Sequence, residues 1–420
     1  MNYKVNLTKA SMILLVLISC SPIGTAATQS TETNIVSNYP STSLPSQFPT
    51  ATVDSIASIT PFPNYSVKQA CLETLSDLPL PINGQIILYE ADSSNPPYLF
   101  DFTTNTKKML TENAMLFRVS PHGNRLAYLI SGKLNTTESL AIIDLFGNQP
   151  DMIIKWQEGW AYLQGWLDDD HLLINVKANK QYPPYDLAVL NISTEQTNEI
   201  SSNYPEMHID YSVWNLSRAV YNTSLTSLIY QSYQGSNVLW NLKTNKEILH
   251  ILSSPSNPEP KWLSDDQTAL VVGVPRKELE EAGDELFLVN TDGKVSQLTY
   301  LTELYPFVDI GGFSISPDEQ IVGFWFIFES SENIQQPNIV RPYQLAILNL
   351  ESGEVINYCI QSNTQGPPLP PIWSPDGKFL LVQDTNYEHN KIFIINVQER
   401  WIYNFSTDLW AAIWVNGELR

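Results

Sequence analysis

From about residue 84 onward, short apolar runs alternate with polar clusters, and the arrangement repeats. The unit is clearest near the end: Pro371-Ile372-Trp373, then Ser374-Pro375-Asp376-Gly377, then the runs 378–383 (KFLLVQ), 391–397 (KIFIINV) and 398–405 (QERWIYNF). Each run is four to eight residues long, rich in β-branched and aromatic side chains, and bounded by turn formers, which predicts strands rather than helices. One unit is thus four strands, A to D. Seven B strands are predicted: Gln85–Tyr89, Arg125–Ile130, His171–Val176, Ser227–Gln231, Thr268–Val272, Gln320–Phe328 and Lys378–Gln383. Seven C strands match them: Tyr98–Phe102, Leu140–Leu145, Asp186–Asn191, Val238–Leu242, Glu285–Asn290, Gln344–Asn349 and Lys391–Val397. A repeat of about forty to sixty residues that carries four strands is the signature of a β-propeller blade.

The A–B turn explains itself chemically. Proline presets φ at the second position, aspartate can bond its own backbone, and glycine accepts a positive φ. Variants of the turn stand at Ser120-Pro121-His122-Gly123, Asp168-Asp169-Asp170, Ser264-Asp265-Asp266 and Ser316-Pro317-Asp318, each preceded by an aromatic (Phe117, Trp166, Trp262, Phe313), and a weaker one lies near Trp214 and Ser217. The first unit lacks strand A, while a surplus strand, Leu409 to Val415, follows the last. Ring closure by that C-terminal strand removes the exposed edge between first and last blades. The expected fold is therefore all-β: a propeller of seven four-stranded blades, with six or eight as alternatives. The Ser-Pro-Asp-Gly units resemble the TolB-like propeller repeats, also found in prolyl-oligopeptidase-type enzymes. The resemblance covers about residues 84–420 and implies fold, not function.

The N-terminus differs. Lys4 and Lys9 precede the apolar run 10–19, which is too short to span a bilayer and fits an export signal. Leu17-Ile18-Ser19-Cys20 resembles the lipobox of bacterial lipoproteins, which implies cleavage before Cys20 and lipidation of its sulfur, anchoring the chain to the extracytoplasmic face of a bacterial membrane. Residues 20–65 are rich in Ser, Thr, Pro and Asn and read as a disordered tether. The domain would occupy 66–420. Val67, Cys71, Leu72, Leu75 and Leu78 fall at helical spacing, which predicts a short amphipathic helix packed on the propeller.

Composition agrees with export and narrows the chemistry. Charged residues make up 16% of the chain and aromatics 11%, and the formal net charge is −21. Loss of residues 1–19 removes two lysines and no acids, which takes the charge to about −23 and argues against nucleic acid as a partner. Cys71 and Cys359 form an even pair in an oxidising compartment and could be bonded, or could be small buried apolar residues. No G-x-S-x-G elbow, H-E-x-x-H or paired Cys-x-x-Cys occurs, and no hydrolase domain is expected beyond the last repeat. No cofactor, no metal and no catalytic residue is expected. His122, His171 and the Asp168–Asp170 run sit at turns, where solvated turn residues are the simpler reading.

Two functional readings follow. The first is a non-catalytic, monomeric cell-envelope propeller that binds a protein, peptide or glycan. The alternative is a carbohydrate-active enzyme, glycosidase or lyase-like, using paired carboxylates in the funnel. A–B and C–D connections are short and share one face. B–C and D–A connections are longer and share the other, where scaffold-borne loops usually bind. Trp160, Tyr162, Tyr182, Tyr185, Tyr204, Tyr211 and Tyr305 lie there, with Glu206 and Asp210 nearby. Their flat, amphipathic rings suit sugars or peptides, and packing between loops is the competing use. For the anchor, Cys20→Ala is expected to move the protein from the membrane fraction to the soluble fraction on ultracentrifugation. Unchanged fractionation would exclude lipidation at this cysteine.

Overall fold

The computed structural model describes residues 65–75, 82, 84–90, 96–110, 114–121, 123–130, 139–145, 152–155, 161–176, 186–199, 219–231, 236–253, 258–275, 283–329, 342–362, 366–385, 390–406 and 409–415, with the side chains of a few strand residues also left aside. The expected signal peptide, Cys20 and the tether lie outside these residues. Seven sheets form a seven-bladed β-propeller. The observed B and C strands agree with the expected ones to within two residues at each end. Strand Leu409–Val415 pairs antiparallel with Gln85–Glu90, and Tyr98–Asp101 and Thr106–Met109 complete that sheet, so the two ends of the propeller meet in one blade.

Both faces of each B and C strand are apolar because both are covered. In Arg125–Ile130, Leu126 and Tyr128 pack toward blade 1 with Ile87 and Leu99. The alternate residues Ala127 and Leu129 pack toward blade 3 with Leu172 and Ile174. A period of two with both phases apolar is what a strand between two neighbours requires. The six hydrophobic clusters each straddle a different seam between adjacent blades. The core is the set of seams.

The turn chemistry runs as the repeat suggests. Ser374 Oγ accepts the Phe379 amide at 2.9 Å and donates to Asp376 at 2.7 Å, and Ser316 does the same for Ile321 and Asp318. The fourth turn position has positive φ in blades 2, 4, 5, 6 and 7, at Gly123, Leu225, Asp266, Glu319 and Gly377, and not in the aspartate turn of blade 3. The C–D turns follow a second rule. An Asx residue ends strand C and its side chain accepts an amide two or three residues on, as at Asp101 to Thr104, Asn241 to Thr244, Asn349 to Ser352 and Asn396 to Glu399.

Neighbouring blades are also latched by tryptophan. Trp166, Trp262 and Trp373 each end strand A of their blade, and each donates its indole N–H to a strand-A carbonyl of the preceding blade. The acceptors are Arg118 at 3.0 Å, Val220 at 3.0 Å and Ser314 at 3.3 Å. Trp414 holds the same register in blade 1, opposite Ile86. Its ring stacks on Phe102 and lies over Gly84, where a Cβ would come within 2.7 Å of the indole nitrogen. Gly84, at φ +121°, is therefore doubly required.

The expected helix at 67–78 is not formed over its described part, residues 67–75. Val67–Gln69 pairs parallel with Val355–Asn357 at the outer edge of blade 6, and Glu73–Leu75 pairs parallel with Trp401–Tyr403 at the outer edge of blade 7. The outer strands carry unpaired backbone groups, and satisfying them offsets a weak local helical preference. The apolar residues that fitted a helix instead pack on three seams: Val67 at 5–6, Leu72 at 6–7 and Leu75 at 7–1. Between the two strands, Cys71 is bonded to Cys359. A bulge turns Cys359, at φ +61°, out of its ladder to meet it. The bond closes a loop spanning 288 residues, worth on the order of 5 kcal/mol in chain-entropy terms.

Deleting Leu409–Arg420 removes strand A of blade 1 together with Ile413, Trp414 and Val415 from the flanking cores. The truncated chain is expected to be insoluble, or rapidly degraded in limited proteolysis. A protease-resistant product would show that the ring closes some other way.

Candidate functional site

Strand direction sorts the connections onto two faces. On the A–B and C–D face, polar side chains are spent on neighbouring blades. Asp266 accepts the Thr223 and Ser224 amides of blade 4, and Glu319 accepts the amide and hydroxyl of Ser264 in blade 5. Arg125 donates to the Asp169 carbonyl and pairs with Asp170 at 2.7 Å. Asp168 accepts the amides of Asp170 and His171 and the His171 ring. Desolvation pushes its carboxyl up, but these bonds outweigh that and leave it below the usual carboxylate range. The aspartate run thus serves its turn and the blade 2–3 seam. Among the described residues no cluster of His, Cys, Asp and Glu suited to a metal is found.

On the opposite face the strand ends are separated by longer stretches of sequence, 177–185, 200–219, 274–284 and 330–342 among them, most of which lie outside the described residues. Of the aromatics expected to form a binding surface, Trp160, Tyr182, Tyr185, Tyr204 and Tyr211 lie outside the described residues, as do Glu206 and Asp210. Tyr162 lies in strand Ala161–Trp166 opposite Asn175. Tyr305 is half-buried, with its ring 4.1 Å from that of Phe328 at the edge of the blade 5–6 core. Packing takes much of its area.

The same face holds a group of polar residues that the sequence reading passed over. At the blade 6–7 seam, Tyr343 donates its hydroxyl to Asp309 on the innermost strand of blade 6, Phe307–Ile315. Burial first, then the Asp309 bond and the charges of Asp309 and Asp284, push the phenol far above its usual range, so it remains a donor at any physiological pH. Ser362 donates to Asp384 at 3.0 Å, and both are buried. At the 5–6 seam, Asp284 accepts the Ile310 amide at 3.4 Å. Beside it, Glu285 is sealed from solvent and accepts from Thr299 Oγ1 at 2.5 Å and from the Thr302 amide and hydroxyl at 2.6 and 2.8 Å. Desolvation raises its pKa despite these donors. The available signal was an acid embedded at the end of an apolar run, as in Asp284-Glu285-Leu286-Phe287 and Val382-Gln383-Asp384.

No protein-family model matches this sequence, and no curated protein matches it. Among solved structures it is similar to TolB from Acinetobacter baumannii, with 12% identity over 81% of this chain and 89% of that one, and a TM-score of 0.43. An oligogalacturonate lyase in complex with manganese shows 14% identity over 78% and 85%, with a TM-score of 0.49. The Pseudomonas aeruginosa periplasmic gluconolactonase shows 13% identity over 79% and 99%, with a TM-score of 0.44. At such identities the likeness is one of fold.

Glu285 offers a test of the buried group. Its folded-state pKa lies above the unfolded one, so its contribution to stability is complete at acid pH and is lost as pH rises through the folded value. Glu285→Gln keeps an acceptor for Thr302 and a donor for Thr299 without the charge. It is expected to match or exceed the wild type in urea melts at pH 8 and to flatten the decline between pH 5 and 8. Glu285→Ala, which orphans those donors and leaves a void, should lose about 2 kcal/mol or more at both pH values.

Proposed function

We propose that this chain is an exported, lipid-anchored propeller that holds a protein, peptide or glycan of the cell envelope on its long-loop face and catalyses no reaction. The observation that carries the reading is the asymmetry of the two faces. On the turn face, short connections bond one blade to the next, with Asp266, Glu319 and Arg125 committed across seams. The long stretches of sequence join strand ends on the other face, where length is not needed to close the ring. The acidic surface favours solubility and disfavours nucleic acid. The Cys20 lipobox supplies the anchor, and a bonded Cys71–Cys359 pair fits an oxidising compartment.

The alternative, a carbohydrate-active propeller, draws on Asp309, which lies on the innermost strand with a phenol as its partner. The two readings separate in one experiment. After mild crosslinking in membranes, Tyr162→Ala and Tyr182→Ala on the loop face are expected to reduce capture of the crosslinked partner several-fold, whereas Asp376→Ala on the turn face should leave it unchanged. Loss with the turn-face variant only would overturn the assignment of faces. Release of reducing ends from envelope glycan, abolished by Asp309→Asn, would favour the enzyme.

A further inference from the structure

Residues 67–75 lie outside the repeat, and the ring closes without them, through strand Leu409–Val415. Their own hold on the ring is slight. Each of the two strands pairs over three residues, Val67–Gln69 with blade 6 and Glu73–Leu75 with blade 7. Backbone bonds from Ala70 to Asn357 at 2.9 Å and from Glu73 to Arg400 at 3.3 Å add to these. None of the nine side chains is fully buried. Val67, Ala70, Leu72 and Leu75 are half-buried, and Lys68, Gln69, Cys71, Glu73 and Thr74 are exposed. The pair of Lys68 with Glu354 lies at the surface, where water and salt screen it. A segment held in this way opens locally at low free energy.

The bond between Cys71 and Cys359 changes that, because it ties the middle of the segment to blade 6 and neither strand can leave its edge by more than the slack on either side. Both cysteines are exposed, so the bond is open to attack from solvent. The bulge that presents Cys359 is satisfied from within blade 6. Buried Asn357 accepts the Cys359 amide on its Oδ1 at 2.8 Å, and its Nδ2 donates to Gln344 Oε1. Blade 6 therefore keeps its own hydrogen bonds whether or not the sulfurs are joined.

We propose that the Cys71–Cys359 bond is a reducible latch: a dithiol reductant opens it in the folded protein and frees residues 67–75 from the outer edges of blades 6 and 7 while the ring stays closed. A thiolate of the reductant attacks one sulfur and displaces the other cysteine, which takes up a proton. The second thiol of the reductant then displaces the first cysteine. Two electrons pass to the protein, which now carries two thiols, and the reductant leaves as a disulfide. Release uncovers the backbone edges Val355–Asn357 and Trp401–Tyr403 and the outer mouths of the three seams that Val67, Leu72 and Leu75 cover. Whether those edges are satisfied within the molecule is then set by redox state.

The test uses the full chain carrying Cys20→Ala, so that only this pair reports. Dithiothreitol is added without denaturant at about pH 8, where its thiolate is available. Free thiols are then counted by maleimide labelling, and hydrogen exchange is read by mass spectrometry. Both cysteines should become labelled in the folded protein. Exchange in residues 67–75 should rise about tenfold or more, while residues 85–90 and 409–415 keep their protection. Reoxidation should restore the protection of 67–75, and Cys71→Ser/Cys359→Ser should behave as the reduced chain does. Thiols that appear only in denaturant, or unchanged exchange in 67–75 after reduction, would overturn the proposal and leave the bond a structural staple. Loss of protection in 85–90 and 409–415, on reduction or in the double variant, would overturn it equally, since the ring would then depend on the bond.

Discussion

A four-stranded blade has two apolar faces and no core of its own, so every blade must be covered on both sides. That requirement governs this molecule. It explains why Leu126 and Ala127, adjacent in one strand, belong to different cores, and why the buried side chains divide into seam clusters rather than one central core. Burying a Leu or Ile side chain contributes about 1.5–3 kcal/mol. An open stack would forfeit this at both end faces. Closure by strand Leu409–Val415 removes both losses in one step and makes the first blade depend on a strand that follows the last one.

Seam packing is non-directional, and the polar latches give it a register. The tryptophans of blades 3, 5 and 7 reach back to a carbonyl in the blade before, always from the same position in strand A. On the rim below, carboxylates in the left-handed turn position of blades 5 and 6 reach back in the same direction. These bonds commit one face to architecture. The opposite face can then vary its connections at small cost to the ring, since loop closure penalties grow slowly with length. Binding sits most readily where variation is cheapest.

The outer strap adds a second closure at a larger radius. Residues 67–75 pair with the outer edges of blades 6 and 7, plug three seams from outside and are bonded through Cys71 to Cys359. Blade 6 is also where the strands are longest, where Phe313, Phe324, Trp325 and Phe326 are fully buried, and where the innermost strand carries the Asp309–Tyr343 pair.

The local sequence determined the repeat, the strands, the turns and the blade in which the ring closes, because each follows from a period of two and from residues that accept particular φ values within five positions. It marked Trp166, Trp262 and Trp373 as recurrent without revealing their acceptors, which lie more than forty residues away. It misread 67–78, since helical spacing of Val67, Cys71, Leu72 and Leu75 also suits a segment that crosses three seams, and only the unpaired outer edges choose between them. Which acids are buried was likewise decided by tertiary structure. Glu285 and Asp309 look alike in sequence, and what separates them is whether neighbouring blades and loops cover the end of their strand, a fact about distances across seams that no local pattern contains.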